Sequence, residues 1–329
     1  MVVLIGFVGS GGIAREHMNC LQKVPDARIA AFCDIDINRA REAASSIQGA
    51  RAYQDVSEMV RAEKLDAIYV CVPPFSHGFE PLLIERGLHL FIEKPIALTL
   101  ELAKKIEAAI TKAGIINSVG YMWRYLDTTA LAIKVLRENG PIGMVIGQYH
   151  DPSWFPPGHW WIDKSKSGGQ VIEQSTHVFD LARYIAGDVS RVYAELDTLL
   201  LKDVPGFNVE DVSVVCLKFK NGAVGVVTST CASRKTFTGT ALRFIAKNVA
   251  IELGGHAHYA RVFWTDKVDQ IDSNVHPYLE EDKAFVEAVK TGNASEIKSP
   301  YSDALKTLEV TILANKSSKD NKPFSPGLD

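Results

Sequence analysis

Apolar positions in the first third of the chain form short solid runs, at residues 2–8, 28–33, 67–72, 88–92 and 115–119. Between these runs apolar residues recur every three or four positions. Ile13, His17, Met18 and Leu21 show this spacing, as do Ala40, Ala43, Ala44 and Ile47, and Leu102, Ile106, Ala109 and Ile110. Shorter helical stretches fall at 56–60 and 82–86. Solid apolar strands alternating with amphipathic helices predict a parallel, doubly wound sheet that binds ligands at the carboxyl ends of its strands.

After Gly120 the pattern changes. A helix over 128–138 ends at Asn139-Gly140-Pro141, and strand-like segments follow at 144–150, 191–196, 209–219, 224–231, 242–246, 250–253 and 261–264. Asn221-Gly222 predicts a hairpin between two of them. Few helices interrupt the series, so the second sheet is expected to be large, mostly antiparallel and open on one face. Helices over 278–291 and 301–317 close the chain, and the polar tail 318–329 is expected to be loosely held. The fold class is α/β, with a doubly wound domain over 1–122 and an α+β domain over 123–329. The last helix, about 301–317, is a candidate to pack back on the first domain.

The stretch 161–187, WIDKSKSGGQVIEQSTHVFDLARYIAG, reads as a two-faced helix. At about 100° per residue Glu173, His177, Asp180 and Tyr184 share a polar stripe, and Val178, Leu181, Ala182 and Ile185 an apolar one. Gly168-Gly169 let the backbone approach a neighbour closely, and Gly187 is a stop signal. A carboxylate one turn before a histidine can orient the imidazole and raise its basicity, as acid–base chemistry requires. An ordinary solvated stripe gives the same pattern, so this stretch alone leaves both readings open.

Composition narrows the classes. The 329 residues exceed what one core usually organises, which agrees with two domains. A net charge of −3 gives no footprint for nucleic acid or for an anionic membrane surface. No apolar run reaches the length of a membrane span, and the N-terminal run lacks the basic flank of a signal peptide. Cys20, Cys33, Cys71, Cys216 and Cys231 are scattered without metal-ligand spacing. Free thiols, no metal and a cytoplasmic location are expected.

The first strand breaks at Gly9-Ser10-Gly11-Gly12 and continues into a helix at Ile13. Gly9-x-Gly11-x-x-Ala14 fits the dinucleotide fingerprint of a Rossmann domain, whose glycines bring backbone amides to a pyrophosphate at a helix N-terminus. Asp34 ends the second strand, 20 residues beyond Ala14, where an acid binds ribose hydroxyls. With apolar Ile35 next to it the choice leans to NAD, while Arg39 and Arg41 downstream keep NADP open. Cys71, Val72, Pro73 and His77 follow another strand, and Glu93 and Lys94 follow the next. All are expected on the same crevice; a local pairing of His77 is the alternative there.

Read together, GFVGSGGIA, CVPPFSH, FIEKP, the arginine of YMWRY, SGGQVIEQSTHVFDLARY and the closing YSDALKTLEVTILANKSS resemble the glucose–fructose oxidoreductase / inositol dehydrogenase / MocA (Gfo/Idh/MocA) family over essentially the whole chain. The resemblance implies an NAD(P)-dependent dehydrogenase or reductase acting on a secondary alcohol or carbonyl of a sugar, inositol or related polyol. It implies Lys94 and His177 as catalytic residues, with Glu173 where relatives often carry aspartate, and a cis bond before Pro95. Tyr121, Arg124, Trp161 and Gln174 are candidates to line the substrate pocket with them, as are Trp154, His159 and Trp160. Two other functions suit the same resemblance: an NAD-dependent glycoside-cleaving enzyme with transient substrate oxidation, and a non-catalytic cofactor-binding regulator. Retention of Lys94 and His177 argues against the regulator. The broad open sheet suggests a homodimer or homotetramer.

Overall fold

The computed structural model describes residues 2–152 and 155–327. It divides into two compact units, one of Met1–Ala97, Glu101–Met122 and His276–Asp303, the other of Leu98–Leu100, Trp123–Val275 and Ala304–Asp329.

In the first unit β1 (Val3–Val8), α1 (Gly12–Leu21), β2 (Ala27–Cys33), α2 (Ile37–Ser45), β3 (Arg51–Tyr53), α3 (Val56–Ala62), β4 (Ala67–Val70), α4 (Glu80–Ile84), β5 (His89–Ile92), α5 (Leu100–Ala113) and β6 (Asn117–Val119) follow in turn. The strands are parallel, in the order β3-β2-β1-β4-β5-β6. This order reverses direction between β1 and β4, the place where open α/β sheets bind ligands. The apolar runs become strands because both sheet faces are covered; Val3, Ile5, Phe7, Tyr69, Leu90 and Phe91 have no exposure. Register sets Phe32, Phe7, Tyr69 and Phe91 side by side across four strands. Their ring centroids are 5.3, 5.1 and 4.6 Å apart.

The segment His276–Asp303 belongs to this first unit, not to a continuous second domain over 123–329. Its helix Pro277–Thr291 sets Phe285 edge-on against Tyr69 and Phe91, 5.6 Å from each. Val286, Ala288 and Val289 join the same core. An apolar helix stripe must find a sheet, and chain order does not say which one. The edge strand β3 was also absent from the sequence reading, because three residues are too few to show a run.

In the second unit come α6 (Asp127–Asn139), β7 (Ile142–His150), α7 (Lys164–Ser167), α8 (Gln170–Glu173), α9 (Thr176–Ala186), β8 (Val189–Asp197), β9 (Val212–Phe219), β10 (Val224–Thr230), β11 (Gly239–Ala246), β12 (Ala250–Gly254), β13 (Tyr259–Phe263) and β14 (Val268–Asp272). Helices α10 (Pro277–Thr291), described above, and α11 (Tyr301–Asp320) end the series. The eight strands run β14-β13-β12-β11-β7-β10-β9-β8, all antiparallel except the pair β7–β10. β14 was not expected: VDQID is polar and exposed, a soluble edge.

Helices α6 and α9 cover one face of this sheet. On the other, Val224, Met144 and Ile245 stand in register across β10, β7 and β11, each more than two-fifths exposed. The far edge is closed by the chain's end. Ser317 and Ser318 of α11 accept the Ala194 and Leu196 amides of β8 at 3.0 and 2.9 Å, and Phe324 pairs with Val192. From Ala304 onward α11 thus belongs to the second unit, and the tail to residue 327 is tied down where a loose end was expected.

The stretch 161–187 is not one helix. A 3₁₀ turn at Trp160–Ile162 and the short helices α7 and α8 precede α9. Gly168 and Gly169 have φ of 80° and 99°, so the chain turns there, and the break at Gln174–Ser175 separates Glu173 from His177. Helix α9 presses on β7 at Gly147, where an added Cβ would come within 2.6 Å of Val178 Cγ1 and 3.1 Å of Val227 Cγ2. Gly147→Ala is therefore expected to destabilise the fold by about 1–3 kcal/mol through overpacking. Urea unfolding measures this, and an unchanged midpoint would show that α9 can move away at no cost.

Candidate active site

The predicted cofactor residues gather at the carboxyl ends of neighbouring parallel strands. Gly9, Ser10, Gly11, Gly12 and Ile13 link β1 to α1, Asp34 and Ile35 follow β2, and Cys71, Val72, Pro73 and His77 follow β4. Glu93 and Lys94 follow β5, and Tyr121, which is buried, follows β6. Gly9 has φ 91°, and a Cβ there would lie 2.2 Å from the Cys71 carbonyl oxygen. A Cβ on Gly11 or Gly12 would meet nothing within 4 Å. Helix α1 starts with no side-chain cap, so its first amides are left for another acceptor. An open glycine turn at an uncapped helix start fits a dinucleotide pyrophosphate.

Asp34 is almost buried; its carboxylate accepts the amides of Ser10 and Asp36, both at 2.9 Å. A carboxylate has about four lone-pair positions, so ribose hydroxyls can still donate to it. A 2′-phosphate would meet this negative charge directly. Ile35 is 89 % exposed and packs against nothing that would fix it. His77 takes the local reading: its Nδ1 lies 2.5 Å from Glu80 Oε1, with both side chains fully buried. Burial pushes the Cys71 thiol well up, so it is a packing group and not a nucleophile.

Glu93 also differs from its expected part as a cofactor contact. Its side chain turns inward, with Oε1 2.9 Å from His17 Nε2 and Oε2 accepting the Lys94 amide at 3.0 Å. The Lys94–Pro95 peptide bond is cis, as the family resemblance implied.

The remaining predicted residues lie in the second unit. His177 is on the first turn of α9 and almost buried, and Trp123 stacks on its ring at 4.9 Å and 29°. Glu173 ends α8, where its Oε2 accepts the indole N–H of Trp161 at 2.6 Å. Trp161 is only 1 % exposed and packs with Ile162, Phe207, Val209 and Cys231, so in this unit it supports Glu173 and offers no open wall. Arg124 is also committed: its Nε and Nη2 grip both oxygens of Asp180 at 2.7 and 2.5 Å. Thr307 adds a third bond to Asp180 at 2.9 Å, and Arg124 lies over the Tyr184 ring at 4.4 Å. Asp180 and Tyr184 thus leave the solvated stripe and hold a buried arginine. Gln174 is almost buried at the break after α8. Trp154 lies outside the described residues.

Sequence reading missed Trp123, Tyr149 and His256. The His256 ring lies tilted against Trp123 at 5.5 Å and against Tyr149 at 6.3 Å, which adds two aromatic neighbours to the pair Trp123–His177. Burial lowers the pKa of His256 against an opposing push from Asp151, and burial raises that of Tyr149, helped by Asp151 and Glu173. Both shifts favour the uncharged forms of rings that join His177 through Trp123. His256 and Ala257 adopt left-handed φ of 59° and 64°, held by the Thr240 and Thr128 hydroxyls. Only the glycine pair before His256 marked this turn in sequence.

Comparison with known proteins agrees with this arrangement. Residues 3–121 match the family described as oxidoreductase family, NAD-binding Rossmann fold, and residues 132–250 match the GFO/IDH/MocA C-terminal domain. The chain is 29 % identical over 336 residues to myo-inositol 2-dehydrogenase of Thermotoga maritima, covering 97 % of each. It is 31 % identical over 230 residues to an uncharacterized oxidoreductase of Bacillus subtilis, covering 68 % of this chain and 66 % of that one. A levoglucosan dehydrogenase solved with NADH and levoglucosan superposes with a TM-score of 0.90 at 19 % identity, over 99 % of both chains.

Gly11→Ala separates binding from folding. Its new methyl meets no protein atom within 4 Å, so the thermal midpoint should hold. Affinity for NADH, read by fluorescence titration, should fall at least about tenfold, or 1.4 kcal/mol. Unchanged affinity would remove the glycine turn from cofactor binding.

Proposed function

The chain belongs to the GFO/IDH/MocA family of NAD-binding oxidoreductases, and on that premise we propose that it moves a hydride between NAD and a secondary alcohol or carbonyl of a sugar, inositol or related polyol. The observation that carries the substrate class is the end-to-end likeness to a myo-inositol 2-dehydrogenase. NAD, once bound along Gly9–Ile13 and Asp34, supplies the hydride acceptor. The protein's work is position and proton management. His177 accepts the hydroxyl proton, with Trp123 fixing the plane of its ring. Lys94 donates a hydrogen bond to a substrate oxygen and stabilises negative charge that develops in the reaction. Glu173, anchored by Trp161, tunes the field around His177.

We place the protein in the reducing cytoplasm. Cys20, Cys33, Cys71 and Cys231 are free and buried, as suits such a compartment, and among the described residues no helix is long and apolar enough to cross a membrane. The open face of the second sheet is the proposed subunit contact. Its row Val224, Met144 and Ile245 is flanked by a salt-bridge ladder of Arg243, Glu252 and Arg261. One such patch meeting its own copy gives a twofold, isologous interface.

A panel of cyclitols and sugars with NAD, followed by NADH absorbance, tests the activity. His177→Ala should lower kcat by about 10²–10⁴-fold with NADH affinity nearly unchanged. Lys94→Ala should also lower kcat; full turnover in either variant removes that residue from the mechanism. Silence across the whole panel would overturn the dehydrogenase reading and favour glycoside cleavage with NAD retained. Light scattering tests the assembly: the native chain should have at least a dimer's mass, and Ile245→Glu should give the monomer. A monomeric native chain would sink the proposed interface.

A further inference from the structure

We infer that His17 is a positioning residue for Lys94: an imidazolium that clamps Glu93 and thereby fixes the main chain from which Lys94 projects. The inference rests on the reading of Lys94 as a group acting on substrate.

His17 lies on α1 with no exposure. Its Nε2 is 2.9 Å from Glu93 Oε1, and its Nδ1 is 2.8 Å from Asp282 Oδ1. A neutral imidazole has one donor and one acceptor nitrogen, and an ionised carboxylate only accepts. Two ring nitrogens facing two carboxylate oxygens therefore need one extra proton, on the ring or on an acid. The neighbouring donors locate it. Glu93 already accepts the Lys94 amide on Oε2, and Asp282 Oδ1 accepts the Tyr69 hydroxyl at 3.1 Å. Each acid thus accepts from a second donor besides His17, which favours its ionised form and places the extra proton on the ring.

The electrostatics agree. Burial by itself pushes the His17 pKa down, but Asp282 and Glu93 outweigh it and the net shift is well up. Glu281, also fully buried beside them, is pushed well up by burial, toward its neutral form. Burial pushes Asp282 up as well, and its bonds from His17 and Tyr69 oppose that rise, so the geometry favours one cation held between the two carboxylates it bridges. Tyr278 closes it edge-on to the His17 ring at 5.6 Å.

The clamp has little freedom. Behind Glu93 stands Gly120, where a Cβ would come 2.3 Å from Oε1, so the carboxylate occupies the space a side chain would need. With His17 removed, Glu93 must take up a proton or turn toward another donor, and the Lys94 amide loses a charged acceptor. Removing one partner of a buried pair leaves an uncompensated charge, the costly case. His17 sits on α1 one turn beyond Ile13, with both ring nitrogens on Glu93 and Asp282, so an unchanged NADH dissociation constant is the check that α1 and its glycine turn keep their place in the variants.

The test compares the full-length protein with His17→Leu, which cannot bond either acid, and His17→Gln, which can donate to one. Amide exchange at Lys94 should speed up about tenfold or more in His17→Leu, while amides of the β1 and β4 ladder keep their protection. His17→Gln should recover part of that protection. With histidine labelled in ¹⁵N, one ring lost in His17→Leu should keep both nitrogens protonated above the usual histidine range. In kinetics, kcat of His17→Leu should fall at least about tenfold, with the NADH dissociation constant within about twofold of wild type. Unchanged Lys94 exchange, or a neutral His17 ring at neutral pH, would overturn the proposal. So would wild-type kcat in His17→Leu. The exchange and nitrogen measurements need no substrate, so they decide the clamp even if the polyol panel is silent.

Discussion

The segments that carry the chemistry are held by buried carboxylates. Taking such a group out of water costs several kcal/mol unless donors surround it, so each one fixes whatever chain supplies those donors. Asp34 holds the glycine turn through the Ser10 amide, and Glu93 holds Lys94. In the second unit Glu210 accepts the Val171 amide at the start of α8 and pairs with Lys164. Asp211 accepts three consecutive amides, Leu199, Leu200 and Leu201, and so folds the loop before β9. Two of these acids also explain glycines. Glu93 fills the space beside Gly120 as Glu210 fills that beside Gly169, where a Cβ would sit 2.3 Å from an oxygen in each case. The Gly168-Gly169 pair is thus required partly by an acid some 40 residues later, through the bond recorded at Val171.

This dependence decides what could be read from the sequence. The first sheet was legible because its signals are local: a solid apolar run, a glycine turn and an acid at fixed spacing each lie within one βα unit. The mostly antiparallel second sheet followed from the same periodicities, whereas strand order, set by contacts between distant segments, did not. The contribution of α10 was not legible, since Phe285 joins a ring ladder built from β1, β2, β4 and β5. Nor was the inward turn of Glu93, because Asp282 and Glu93 meet at His17 from distant parts of the chain. Arg124 misled for a related reason. A lone arginine in an aromatic segment suggests a ligand, and only the fold shows that Asp180 neutralises it.

The helix that seemed to carry acid and base together illustrates the limit of periodicity. On one continuous helix Glu173 would lie a turn below His177 and face it. The break at Gln174–Ser175 instead gives each its own support, Trp161 under the acid and Trp123 under the base. This gives the side chain at position 173 a structural task besides any part in chemistry. The longer arm of glutamate reaches the buried Trp161 indole, whose N–H gains a charged acceptor. The placement of Glu173 is therefore tied to the packing of Trp161 with Phe207 and Val209, residues of a loop that no active-site pattern would single out.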